Sequence, residues 1–279
     1  MTGSSAPGLL LVLPPSEGKA SGGDGPPLDL AALSFAQALS RPRERVLNAL
    51  VKLCAAATPR GRARARTVLG LSAGLAGEVA VDAAVLGTPT LPAARRYTGV
   101  LYDHLGLATL PEDARERATG SVVILSALWG AVGPDDAIPP YRLSMGVTLP
   151  RIGRLAAHWR APLARALAEP ALVVDCRSAT YRSAWTPSAA STVVHVRAFT
   201  VAGDGSRRVV SHMAKATRGD VARALLTRAG GDGCDAATPD EIADVVRAAG
   251  MDCELVPPAR AGGAWSLDVL QASPAESLT

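Results

Sequence analysis

The chain has 279 residues, of which 48% are hydrophobic and 19% charged, with a formal net charge of +4. That balance excludes a disordered chain and is ample for a hydrophobic core. No apolar run approaches the roughly 20 residues of a membrane helix, and the opening MTGSSAPGLLLVLPPSEGK lacks the basic n-region of a secretory signal, so a cytoplasmic protein with no membrane partner is expected.

Gly8 to Pro14 is a continuous apolar run that predicts a buried strand, and Ser21 to Pro27 reads as a loop. Leu30 to Ala57 has a helical pattern with a break expected at Arg41-Pro42, and Pro59 to Leu69 starts another helix. Leu91 to Leu105 suggests a further helical segment. Ser121 to Leu125 predicts a second buried strand, followed by a turn-rich loop over Gly130 to Tyr141. A helix over Leu155 to Leu167 and a third buried strand over Ala171 to Asp175 come next. Thr192 to Val201 and Arg207 to Met213 flank Gly203-Asp204-Gly205-Ser206 as a hairpin. Ala214 to Ala229 is helical, Thr238-Pro239-Asp240-Glu241 caps a helix that ends at Gly250, and Trp265 to Val269 suggests a last strand.

Helices interleave with strands throughout. The pattern predicts an α/β (α+β) fold with a mixed sheet in one domain over residues 9–270, with 1–8 and 271–279 as loose ends. A two-lobed chain divided near Leu149 to Gly153 is the alternative, although no long linker marks such a boundary.

Cys54, Cys176, Cys234 and Cys253 form no CxxC pair, and His104, His158, His195 and His212 are equally scattered. No metal site, disulfide framework or cofactor is expected from that spacing. Lysine occurs only at Lys19, Lys52 and Lys215, the rest of the 29 basic residues being arginine. In so arginine-rich a chain, a retained lysine points to a need for a compact, titratable ammonium.

Five clusters could carry chemistry. Pro14 to Lys19 follows the first strand, where ligands commonly sit in α/β sheets. Its Ser16 can donate a hydrogen bond and its Lys19 can hold an anion, though an ordinary polar turn reads equally well. Arg95 to Tyr102 holds two of the four tyrosines, of which Tyr97 is a candidate for stacking on bases; a half-buried amphipathic helix is the plainer reading. The stretch from Leu125 to Gly146 carries Tyr141 and Arg142 on a loop stiffened by prolines. Asp175 to Tyr181 offers Ser178 and Tyr181, while Cys176 reads as a buried small residue. Finally, Ser211 to Gly219 places Lys215 and Arg218 near an expected helix N-terminus, where a bound anion would reconcile two cations with the helix dipole.

Taken together, these clusters resemble the YaaA family, the peroxide stress resistance proteins of bacteria. The matching stretches are Leu13 to Lys19, Tyr97-Thr98-Gly99, Leu125-Ser126 with Trp129-Gly130, Pro134 with Asp136, and Pro140 to Leu143 with Met145-Gly146. Ser178 with Tyr181 and Ala214-Lys215 with Arg218-Gly219 complete them, in the family's order. The resemblance implies a cytosolic protein of the hydrogen peroxide response, linked to limiting free intracellular iron. It also implies a curved mixed sheet wrapped by helices, a positively charged cleft, DNA binding and a helix-hairpin-helix. That last element would be the Ala214–Ala229 helix, the Gly230 to Gly233 turn and the Pro239–Ala249 helix.

Charge is unevenly spread. Arg41 to Arg66 holds eight Lys/Arg against Glu44, while Gly231 to Glu254 holds seven acids against Arg247. The first stretch suits a phosphate backbone better than the second. Two functions follow. One is a structure-selective DNA-binding stress protein holding phosphates with Ser16, Lys19, Arg142, Ser178, Lys215 and Arg218 and stacking bases on Tyr97, Tyr141 or Tyr181. The other is an enzyme on a nucleobase or nucleotide-like substrate, with Lys19 or Lys215 as Schiff-base lysine. Iron sequestration by direct binding is a third and weaker reading.

Overall fold

A computed structural model describes residues 8–167, 170–202, 206–209, 211–228 and 238–272. In chain order its elements are β1 (Leu9–Leu13), α1 (Ala36–Cys54), α2 (Pro59–Leu69), α3 (Glu78–Ala83), β2 (Leu91–Pro92), α4 (Ala93–Arg96), α5 (Val100–Leu105) and α6 (Glu112–Ser121). These lead to β3 (Val122–Ser126), β4 (Gly130–Val132), β5 (Ala137–Ile138), β6 (Thr148–Leu149), β7 (Gly153–Arg154), α7 (Leu155–Ala166), β8 (Leu172–Asp175) and α8 (Ala179–Arg182). The chain closes with β9 (Thr192–Val201), β10 (Arg207–Val209), α9 (Ser211–Thr227), α10 (Pro239–Ala248), β11 (Asp252–Val256) and β12 (Trp265–Ala272).

The main sheet is mixed, in the order β11-β12-β9-β8-β1-β3-β4, with β10 beside β9. β1 lies at its centre, parallel to β3 and β8, with Val12 opposite Val123 on one side and Asp175 on the other. Every residue of β1, β3 and β8 is buried, as their uninterrupted apolar runs demand of parallel strands covered on both faces. Because these strands are parallel, their carboxyl ends share one edge, which brings the segments after Leu13, Ser126 and Asp175 together. α9 packs on β9 and on α5, while α1 packs on α7 and α3.

Local chemistry explains most boundaries. The Thr58 hydroxyl caps α2 by accepting from the Gly61 amide at 3.1 Å, and Thr238 and Glu241 form a reciprocal capping box on α10. α1, however, is continuous through Pro42 where a break was expected. Buried Arg43 donates to the carbonyls of Trp129 (2.8 Å), Ser34 (2.7 Å) and Ala131 (2.6 Å), and these long-range bonds offset the one bond proline removes. The segment expected as one helix over Leu91 to Leu105 divides into β2, α4, an extended Tyr97 and α5. Buried Arg96 enforces the division by donating to the Ile138, Ala20 and Pro89 carbonyls, and Gly99 turns the chain at φ +99°. Within the Gly130 to Tyr141 stretch, read as a loop, β4 and β5 form short ladders. The Asp136 carboxylate pins that stretch by accepting from Ser34 and Gly133.

Two expectations near the C-terminus also change. Strand β10 stops at Val209 and α9 begins at Ser211, so no strand reaches Met213. Strand β11 had no counterpart in the sequence reading, and β12 continues past the expected strand end at Val269 to Ala272. Residues 203–205 of the expected hairpin turn, and 229–237 between α9 and α10, lie outside the described residues. A helix-hairpin-helix is thus not shown: α9 and α10 pack on one another, and the hairpin expected between them lies outside the described residues. Among the described residues, no helix is long and apolar enough to cross a membrane.

Candidate functional site

The segments after β1 and β8 open into a cavity of about 1130 Å³. Ser16, Lys19, Arg142, Ser178, Tyr181, Lys215 and Arg218 all line it, drawn from segments far apart in sequence. The end of α2 and the turn after it, Val68 to Ser72, form part of its wall.

Ser16 follows the β1 terminus and its hydroxyl donates to the Thr98 carbonyl. Gly99 then needs its positive φ, and a Cβ there would come 3.5 Å from Ser16 Oγ. Lys19 bridges to Tyr97 through the backbone, which fixes the lysine stem against the tyrosine segment. Its ammonium nitrogen donates to the Ser16 carbonyl at 2.8 Å and lies 4.2 Å from the Tyr141 ring centroid and 5.5 Å from that of Tyr97.

Tyr97 and Tyr141 thus lie beneath Lys19 rather than in the cavity wall. Both are 2% exposed, which leaves neither ring a face for a nucleobase. Their hydroxyls meet at 2.9 Å, and Tyr141 also meets Ser126 Oγ at 2.7 Å. Ser126 Oγ accepts from the Leu128 and Trp129 amides, which fills its two acceptor positions. The serine proton therefore goes to Tyr141, and Tyr141 donates onward to Tyr97. Burial holds both phenols well above their ordinary acidity range.

Arg142 spans the cavity rim, donating to the Glu17 carbonyl at 3.2 Å and pairing with its carboxylate at 2.9 Å. Its backbone amide donates to Asp82 Oδ1 at 2.7 Å. Asp82, from α3, is fully buried, and its second oxygen has no hydrogen-bond partner. Burial pushes this carboxyl up to about 7 against the opposing pull of the Arg142 amide and Lys19. Sequence reading missed Asp82. Its setting, Glu78 to Ala83, looks like an ordinary amphipathic turn, and only the side of α3 it occupies distinguishes it.

Lys19 is the cavity cation whose acidity the site changes most clearly. Its side chain keeps partial exposure because it opens onto the cavity, while the protein around it desolvates the charge. Desolvation first, and the neighbouring Arg142 cation second, lower its pKa to about 7, with Asp82, Glu78 and Glu17 pulling the other way. An amine with that pKa is about half deprotonated at neutral pH and so can serve as a nucleophile or base.

Ser178 is exposed at the start of α8, and Tyr181 is partly buried beside it. Lys215 is exposed, and Arg218 leans its Nε on the Val196 carbonyl at 3.4 Å. Because α9 starts at Ser211, both cations lie beyond its first turn, and the expected anion site on that helix N-terminus is not formed by them. Cys176 is fully buried, with its thiol pushed up to about 12 by desolvation, which makes it inert. Among the described residues, no group of three or more His, Cys, Asp or Glu is arranged to hold a metal ion.

The fold and site define an α/β protein whose strand ends help build a cation-bearing cavity over a tyrosine floor. A family model described as peroxide stress protein YaaA matches residues 9–242. A UPF0246 protein of Streptomyces coelicolor is 47% identical over 267 residues, covering 94% of this chain and 98% of its own. A UPF0246 protein of Corynebacterium efficiens is 40% identical over 252 residues, covering 88% and 95% of the two chains. One from Cereibacter sphaeroides is 38% identical over 144 residues, 49% of this chain and 56% of its own. The chain belongs to the YaaA peroxide stress protein family.

Proposed function

We propose that this chain is a cytoplasmic peroxide-stress protein that binds DNA, with α2 holding the phosphate backbone and the cavity receiving one nucleotide drawn out of the stack. The observation that carries the reading is the placement of α2. It presents Arg60, Arg62, Arg64 and Arg66 without an acidic residue, and its C-terminal end forms a wall of the cavity that contains Lys19, Arg142, Lys215 and Arg218. Among the described residues, none of the four α2 arginines is in an ion pair. Arg62 donates to the Ala57 carbonyl at 2.5 Å, and guanidiniums without a carboxylate partner on an exposed helix suit phosphates.

The α9–α10 pair is the less suitable footprint. The first turn of α10 carries Asp240 and Glu241, and Glu241 and Asp244 line the groove between the two helices. Carboxylates there repel phosphates. An influence on free iron then lies downstream of DNA binding rather than in a metal site of this chain.

Fluorescence anisotropy with duplex DNA, and with duplex carrying an unpaired position, tests the reading. Affinity is expected to fall steeply with salt and to be higher for the interrupted duplex. The double variant Arg62→Glu, Arg64→Glu is expected to weaken binding at least about tenfold and to lower the log–log salt slope by about 2. Binding that ignores salt, or that survives this double variant, removes the proposal.

A further inference from the structure

Lys19 differs from the other cations of the cavity. Arg142 is paired with Glu17, Arg218 leans on a carbonyl, and Lys215 is exposed on α9. The Lys19 nitrogen has the Ser16 carbonyl on one side and two ring faces below. Among the described residues, no carboxylate forms an ion pair with it, and the positive Arg142 shares its cavity. Beneath the same loop, the buried Asp82 leaves one carboxyl oxygen without a partner. In a chain that otherwise favours arginine, this position holds the cation that can give up its proton.

We propose, resting on the DNA reading above, that Lys19 is a nucleophile that forms an imine with the ring-opened aldehyde of an abasic deoxyribose drawn into the cavity. The nitrogen lone pair attacks C1′, and the carbonyl oxygen takes up a proton to give the carbinolamine. That hydroxyl then leaves as water while nitrogen loses its second proton, and the C=N bond forms. The imine acidifies C2′–H, whose proton passes to water. The electron pair becomes the C2′=C3′ bond, the C3′–O bond breaks, and the 3′ phosphate departs with its oxygen. Hydrolysis of the imine returns the amine, so the sequence consumes no oxidant or reductant. Arg142, Lys215 and Arg218 are the groups placed to hold the flanking and departing phosphates.

The test is borohydride trapping with the full chain and a duplex carrying one abasic site, with binding followed in parallel by anisotropy. A one-to-one covalent adduct is expected, mapped to Lys19 by peptide mass. The Lys19→Arg variant keeps a positive charge and is expected to lower adduct yield, normalised to bound DNA, at least about a hundredfold. A duplex with a tetrahydrofuran abasic analogue, which has no aldehyde, is expected to bind and give no adduct. If the abasic duplex binds but no adduct forms, or the adduct maps elsewhere, the inference about Lys19 is overturned and the DNA reading stands. If no DNA binds, the DNA reading fails, and the proposal as stated fails with it. Glycolaldehyde phosphate with borohydride then separates the two failures: an adduct at Lys19 retains the nucleophile for a small phosphorylated aldehyde, and its absence removes that as well.

Discussion

The Lys19 ammonium nitrogen stands 4.2 Å from the centroid of the Tyr141 ring, with the Tyr141 hydroxyl bonded on to Ser126 and Tyr97. The two residues are therefore parts of one device. Two amides saturate Ser126, Ser126 directs its proton to Tyr141, and the ring so fixed supports the lysine.

Replacing Tyr141 by Phe keeps the ring face and deletes the hydroxyl. Ser126 is left with an unpaired buried donor and Tyr97 loses its hydroxyl partner. Stability is expected to fall by about 1–3 kcal/mol, read from the urea midpoint with an unchanged slope. A loss below about 0.5 kcal/mol would show that the hydroxyl chain contributes little.

Asp82→Asn is expected to stabilise the protein at neutral pH. Its folded-state pKa is raised from the ordinary 3.8 to about 7. Between those values the folded chain keeps a proton that the unfolded chain has released, so the carboxyl contributes less stability as pH rises through that window. Asn keeps an acceptor for the Arg142 amide and never ionises. We expect the gain near pH 8 to exceed that near pH 5 by about 2–3 kcal/mol, by urea unfolding. An equal effect at both pH values would show that Asp82 does not titrate there.

Arg142→Gln is expected to move the pH profile of imine trapping. The reactive form of Lys19 is the free amine, so the rate should rise with pH through about 7 in the unaltered protein. Arg142 lowers that value, while Asp82, Glu78 and Glu17 raise it. Removing the guanidinium should shift the midpoint upward, and Glu17→Gln should shift it downward. A profile that moves the same way in both variants would refute the assignment of these neighbours.

Gly219→Ala tests the seat of the cationic helix. A Cβ at this position would fall within contact of the Leu101 carbonyl oxygen and 2.7 Å from His104 Cβ. The α5–α9 contact would have to open, at a cost of about 1–3 kcal/mol and a lower Tm. A variant with unchanged Tm would mean that α9 shifts freely.

The sheet centre was legible because its strands are buried on both faces: Leu9–Leu13, Val122–Ser126 and Leu172–Asp175 match the three apolar runs closely. The Thr238 cap was equally legible, being a local bond between residues three apart. The break expected at Pro42 is absent, and the bonds that anchor the continuous α1 come from Arg43 to Ser34, Trp129 and Ala131. Ser16, Lys19, Arg142, Ser178, Tyr181, Lys215 and Arg218 meet in the cavity. Tyr97 and Tyr141 were singled out for an exposed role, yet their amphipathic rings are turned inward and their hydroxyls satisfied.

By itself the sequence determined the three central strands, the Thr238 cap, the scarcity of lysine and the spaced motifs of the family, since each depends on residue type and short-range order. Tertiary structure alone decided that Lys19 rests on Tyr141 beside Arg142, and that Asp82 is buried beneath them. The ionisation of a side chain is set by the solvent removed from it and the charges brought near it. Here those come from α3, from the end of β1 and from the segment after β5, which only folding brings together.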